Sequence, residues 1–108
     1  MHRVYVHSTR VRTSDRSVGD SSILAEEMLE WLRQIEGFEG MLMIAREDTV
    51  TGFTFWQSEE IAERHRAARM EFIQRLTSVV NVEIEETVGY EVTFASLNHS
   101  LSELRSDS

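Results

Sequence analysis

The segment 37–57, GFEGMLMIAREDTVTGFTFWQ, constrains this chain more than any other. Met41, Leu42, Met43, Ile44 and Ala45 form an unbroken apolar run, too short for a convincing helix and closed by the charged Arg46, Glu47 and Asp48. A strand with one wet face alternates apolar and polar residues, and this one does not. On a pleat, Met41, Met43 and Ala45 point to one side while Leu42 and Ile44 point to the other, so both faces need cover. Thr49, Thr51 and Gly52 then lead into Phe53, Thr54, Phe55 and Trp56, a second strand rich in side chains that suit a pleated surface. A chain of 108 residues with two good helices covers one face of such a sheet. The other face is expected to meet a second subunit.

The flanking pattern supplies the remaining elements. Residues 4–9 read as a strand with Val4 and Val6 on one side and Tyr5 and His7 on the other. Residues 10–19 are polar and read as irregular, ending at Gly19. Asp20, Ser21 or Ser22 is the expected cap of a first helix, with Glu26 and Glu27 near its positive end. Leu24, Met28, Trp31, Leu32 and Ile35 make its apolar stripe, and Gly37 is its expected C′ stop. Ser58 caps a second helix that runs unbroken to Thr77 and Ser78. Its inner stripe is Ile61, His65, Ala68, Phe72 and Leu76, and Glu60–Arg64 and Glu71–Arg75 are i, i+4 pairs.

Residues 82–94 supply a last strand, in which Glu85, Glu86 and Gly89 predict a bulge or bend. The order strand, helix, strand, strand, helix, strand predicts an α+β domain of the ferredoxin-like βαββαβ type. That is a four-stranded antiparallel sheet with two helices on one face. Two such sheets packed face to face give a dimeric α+β barrel, an isologous homodimer. Residues 1–95 form the domain. Residues 96–108 are a polar, serine-rich tail, in which the helical spacing of Leu97, Leu101 and Leu104 leaves both a short helix and disorder open.

Charge and composition exclude several chemistries. Nineteen acidic residues against 11 basic ones give a net charge of −8, which argues against nucleic acid or an anionic membrane as partner. The basic cluster Arg64, Arg66, Arg69 and Arg75 is interleaved with Glu59, Glu60, Glu63 and Glu71 and reads as a solvated, salt-laced helix face. There is no cysteine, so disulfides, thiolate metal sites and cysteine nucleophiles are excluded. All 11 basic residues are arginine, which excludes Schiff-base lysines. No nucleophile elbow, phosphate-binding glycine loop or His-Glu-x-x-His motif occurs, and no metal site is assigned. With no signal-like apolar segment and no stretch of spanning length, the cytoplasm is the expected compartment.

The candidate catalytic residues are His65, on the inner stripe of the second helix, and His7, which shares a strand face with Tyr5. A buried imidazole is a candidate general base. His7, His65 and Trp31 are expected to converge on one cavity with Tyr5 at its edge. Tyr5, Trp31, Trp56 and Phe72 are the candidate lining for a small aromatic or apolar ligand. The plainer alternatives are a core histidine satisfied by a neighbour and aromatic residues that simply pack helix on sheet. Arg69 and Arg75 are candidate anchors for an anionic substrate, although the glutamates beside them favour solvent exposure.

The stretch Ile35-Glu36-Gly37-Phe38-Glu39-Gly40-Met41, followed by Trp56-Gln57-Ser58-Glu59-Glu60, resembles the antibiotic biosynthesis monooxygenase family of the dimeric α+β barrel superfamily. The shared features are a glycine–phenylalanine pair entering strand two and a tryptophan-x-serine step into helix two. The resemblance spans about residues 3–95, and its motifs are structural. It implies a cofactor-independent monooxygenase that oxidises a small aromatic or polyketide-like substrate with O2, His65 or His7 assisting proton removal. A non-catalytic dimeric module binding a small apolar ligand is the alternative, and haem binding is the third reading. Haem-degrading members use an asparagine on strand one and a tryptophan and a histidine on helix two. Those positions fall near His7, on His65 and on Arg75, so none of the three identities is kept.

Overall fold

Strands β2 (Phe38–Arg46) and β3 (Thr49–Trp56) pair antiparallel through a two-residue turn whose first residue, Glu47, takes a left-handed φ of 54°. They are the central hairpin of a computed structural model that describes residues 3–13, 18–77 and 82–104. Strand β1 (Tyr5–Thr13) lies between β3 and β4 (Val82–Glu91), and the sheet runs β2-β3-β1-β4 with every neighbour antiparallel. Helix α1 is Val18–Leu32, α2 is Glu59–Arg64 and α3 is Arg66–Thr77; a single 3-10 turn, His99–Leu101, follows β4. The architecture is the α+β, ferredoxin-like arrangement that the order of sequence patterns predicts.

Register sorts the sheet into two unlike faces. Tyr5, His7 and Val11 share a face with Trp56, Thr54 and Val50, and with Met41, Met43 and Ala45 of β2. The helices pack on this side, where Leu32, Trp56 and Ala62 are buried with Tyr5, Met28, Phe38 and Met41 around them. Complete burial of Leu32 and Trp56 contributes roughly 2–3 kcal/mol each. The opposite face carries Val6, Phe53, Phe55, Leu42, Ile44, Val88 and Tyr90, and on it Leu42, Ile44 and Tyr90 are about half exposed.

Four expectations change. Residues 10–13 are strand: Arg10, Val11 and Arg12 continue the alternation, with Val11 opposite Val50 and Ile84 and Arg10 paired to Glu86 at 3.2 Å on the far face. Helix α1 begins at Val18, which puts Gly19 and Asp20–Ser22 inside it, and the position that caps it lies outside the described residues. Gly37 is not its C′ residue. The helix ends at Leu32 and tightens through Gln34 N–H to Trp31 O and Ile35 N–H to Leu32 O before Gly37 reverses the chain at φ 96°. Finally, the second helix is two helices, broken at His65 (φ −101°, ψ 5°). Among its described side chains the buried positions are Ala62 and Arg69, each one residue along from Ile61 and Ala68 of the expected stripe, and Ala68 faces solvent. The expected bulge in β4 falls at Glu85, skipped between the pairs Arg10–Glu86 and Val11–Ile84. Ser58 caps α2 as expected, accepting from the Ile61 amide at 3.1 Å, and Glu60 pairs with Arg64 at 3.1 Å. The side chains of Leu24, Leu76 and Val82, and Ser78 altogether, lie outside the described residues.

Gly37 joins the first helix to the sheet, and its carbonyl accepts from the Gln57 amide at 2.9 Å. A Cβ there would stand 2.7 Å from Ile61 Cδ1 and would force an L side chain into the left-handed region. Gly37→Ala is therefore expected to cost about 1–2 kcal/mol, read as a fall in Tm of about 5 °C. Gly52→Ala is its control: a Cβ at Gly52 meets only Met43 Cγ at 4.0 Å, and its Tm is expected to stay at the wild-type value.

Candidate functional site

Alternation along β1 sends Tyr5 and His7 to the helix-covered face, where His7 is buried. The break at His65 sets the other half of the arrangement. It ends α2 early and leaves the last-turn carbonyls of a short helix without helical partners. One of them, the Ala62 carbonyl, accepts from Arg69 Nη1 at 2.7 Å. The Arg69 guanidinium is itself buried, lies 4.8 Å from the Trp56 ring centroid and donates through Nη2 to His7 Nδ1. Guanidinium has only donors, so Nδ1 accepts and the ring proton sits on Nε2. That proton points to Glu63 Oε1, 3.2 Å away.

The result is a row, Glu63–His7–Arg69, running from solvent into the core. Glu63 is half-exposed and its second oxygen lies 3.6 Å from Arg66 Nη1. Tyr5 meets the His7 ring edge-on at 5.4 Å. Trp56, which Arg69 covers, donates its Nε1–H to Thr54 Oγ1 at 2.9 Å. Gly89 stands opposite His7 on β4, and a Cβ there would overlap the Tyr5 ring, so this glycine makes the space that the tyrosine fills.

Electrostatics hold the row in one protonation state. Burial lowers the His7 pKa, and the neighbouring Arg69 charge lowers it further against the opposing pull of Glu63. Burial brings the Arg69 guanidinium down to about 10, so it stays charged at neutral pH. Desolvation, then Glu59 and Glu63, raise the Tyr5 phenol above its ordinary value, which keeps it a hydrogen-bond donor. A neutral imidazole thus separates a carboxylate from a guanidinium, its basic nitrogen covered by the arginine.

The other sequence-derived candidates are placed differently. His65 lies against Trp56 with ring centroids 6.2 Å apart at 16°, outside the polar row. Trp31 stacks on Phe72 at 4.8 Å and 9°, in the seam between α1 and α3. The expected convergence of His7, His65 and Trp31 does not form: His7 bonds to Glu63 and Arg69, His65 lies against the Trp56 ring that Arg69 also covers, and Trp31 stacks on Phe72. Arg69 and Glu63 are the residues that the sequence reading placed on a solvated face. The sequence carries a signal for Arg69: Ile61, Ala62, His65, Arg69, Phe72 and Ile73 fit a helical stripe as well as Ile61, His65, Ala68, Phe72 and Leu76 do, with an arginine at a core position. Arg75, the other candidate anchor, lies with its guanidinium 5.8 Å from the Phe72 ring.

No family profile and no curated protein matches the chain. Solved structures match it in shape. A point variant of SnoaB, a cofactor-independent oxygenase from Streptomyces nogalater, superposes with a TM-score of 0.65 at 9% identity, over 85% of this chain and 95% of that one. NE2512 of Nitrosomonas europaea, of unknown function, superposes with a TM-score of 0.64 at 13% identity, over 91% and 96% of the two chains. The fold is ferredoxin-like. At such identities the likeness is one of fold alone, and the de novo designed protein Foldit4 shares it at a TM-score of 0.55, 18% identity and 85% and 99% coverage. The ferredoxin-like scaffold therefore carries no activity by itself. Any chemistry has to come from the side chains set on it. Among the described residues no helix is long and apolar enough to cross a membrane.

The lowered His7 pKa fixes the sign of a pH effect. The folded state binds this proton more weakly than the unfolded chain, whose histidine titrates near 6.5. The stabilisation is complete above that pH and is lost as pH falls through it toward the folded value. In urea unfolding at about pH 7.5 and about pH 5.5, the wild type is expected to lose more stability on acidification than His7→Gln. Equal losses in the two proteins would show that His7 is not held neutral.

Proposed function

We propose that the chain is a cofactor-independent oxygenase that deprotonates a small acidic aromatic or polyketide-like substrate and exposes the resulting anion to O2. The observation that carries this reading is the Glu63–His7–Arg69 row against Trp56. The fold match to a cofactor-independent oxygenase supports it. Oxidation of a methylene between aromatic rings to a carbonyl consumes one O2 and releases one water. The substrate gives up both hydrogens and all four electrons, so the protein has to handle only a proton and a negative charge.

The row is suited to both tasks. In the resting state Arg69 covers the lone pair of His7 Nδ1. A substrate hydroxyl or enol entering beside the half-buried Tyr5 draws the guanidinium onto its oxygen, and the freed Nδ1 takes the proton. Glu63, bonded to Nε2–H, stabilises the imidazolium that forms, while Arg69 stabilises the oxyanion. Tyr5, half-buried, offers aromatic surface to the substrate ring, while the fully buried Trp56 acts as the bed on which Arg69 lies. His65, set against Trp56, is assigned to packing that indole. The reading includes a homodimer in which a second copy covers Leu42, Ile44 and Tyr90 on the far face of the sheet.

Oxygen uptake with a panel of anthrone- and hydroquinone-type compounds tests the proposal. Turnover is expected to fall by about 100-fold or more in His7→Asn, the usual scale for loss of a general base. Glu63→Gln is expected to lose about 10-fold and His65→Ala less than either. Wild-type turnover in His7→Asn would remove the row from the chemistry. Thermal stabilisation by these compounds without oxygen uptake would assign the chain to ligand binding instead.

A further inference from the structure

The last described segment of the chain carries its apolar side chains outward. Strand β4 ends at Glu91, and the Val92 amide still reaches the Val4 carbonyl at 2.9 Å. Beyond it the chain leaves the sheet and closes one 3-10 turn, His99–Leu101, tied by the Ser102 amide and hydroxyl to the His99 carbonyl. Within these 13 residues Phe94 is 86% exposed, Leu97 72% and Leu104 73%, and Leu101 is half exposed. Isolated exposed leucines are ordinary; four large apolar side chains on one short segment are not.

We infer that residues 92–104 are an arm that clasps a second copy of this chain, seating Phe94, Leu97 and Leu101 on that copy's open sheet face. The inference rests on the homodimer of the preceding reading and assigns the element that holds it together. Three observations select a second copy as the occupant. The chain itself displays both halves of the contact, the arm and the apolar face bearing Leu42, Ile44 and Tyr90, and in a single copy both face solvent. The arm is also the least charged approach to an acidic protein: Glu103 is the only acid or arginine in 92–104, against a net charge of −8 for the whole chain. Two copies can therefore meet along it without like-charge repulsion.

The third observation is area. A buried aromatic side chain covers about 150–250 Å², so Phe94 and Tyr90 with Leu97, Leu101, Leu42 and Ile44 supply exposed apolar area of the order of the ~800 Å² per partner that a stable interface buries. Reciprocal exchange uses one arm and one face from each copy and leaves neither spare, so assembly closes at two.

Sedimentation equilibrium on the full-length protein, alongside a Leu97→Glu/Leu101→Glu variant, separates the outcomes. Both positions are exposed, so the variant is expected to keep the wild-type circular dichroism spectrum and unfolding midpoint as a monomer. Its dimer dissociation constant is expected to rise at least 10-fold. A wild-type protein that is monomeric at about 100 μM would overturn the dimer and the arm together. A wild-type dimer whose dissociation constant the variant leaves unchanged would overturn the arm alone.

Cross-linking locates the contact, and the chain has no cysteine of its own to confuse it. Leu97→Cys protein mixed with Leu42→Cys, Ile44→Cys or Tyr90→Cys protein is expected to give a disulfide-linked heterodimer in at least one of the three mixtures. No heterodimer in any of them would show that the arm does not cross to a partner.

Discussion

A guanidinium closed into the seam between helix and sheet is the constraint on which this molecule turns. Removing a charge from water costs several kcal/mol, and the surroundings of Arg69 offset that cost with the Ala62 carbonyl, the His7 imidazole and the face of Trp56. Each partner depends on a separate feature of the chain. The carbonyl is open because the helix breaks at His65, the imidazole faces inward because β1 alternates, and the indole is held by Thr54 and Phe38. Without the break, the backbone of one continuous helix would claim the carbonyl that Arg69 now uses.

The two faces of the sheet divide the work. On the helix-covered face His7, Thr54, Trp56 and Val50 are buried, and the lowered pKa values of His7 and Arg69 follow first from desolvation, that of His7 also from the Arg69 charge. The open face carries an apolar patch, Leu42, Ile44, Phe53, Phe55, Val88 and Tyr90, bordered by the Arg10–Glu86 ion pair. Chemistry and assembly thus draw on opposite sides of the same four strands, so a change on one side need not disturb the other. Gly37 and Gly89 serve the covered face only, the first by reversing the chain against Ile61 and the second by leaving room for the Tyr5 ring.

Much of this was legible in the linear sequence. The run Met41–Ala45 specified a strand with two apolar faces, and the order of periodicities specified the ferredoxin-like topology. Ser58 announced its cap, and Glu85-Glu86 announced the bulge. The candidate site was legible in part. His7 and Tyr5 could be placed together because strand alternation is strict. Arg69 could not, because an arginine among glutamates on a helix reads as solvated when only neighbours in sequence are counted. Its true partners lie 62 residues away, at His7, and seven residues away, at Ala62 across a helix break.

The sequence by itself determined the elements, their order and the two-faced character of the sheet, because local periodicity and capping act over a few residues. Only the tertiary structure decided which way His65 interrupts its helix, which arginine is buried, and that His7 is flanked by an acid and a base rather than by His65. Those outcomes depend on the balance of desolvation against contacts between distant segments. That balance exists only once the sheet and helices have closed on each other.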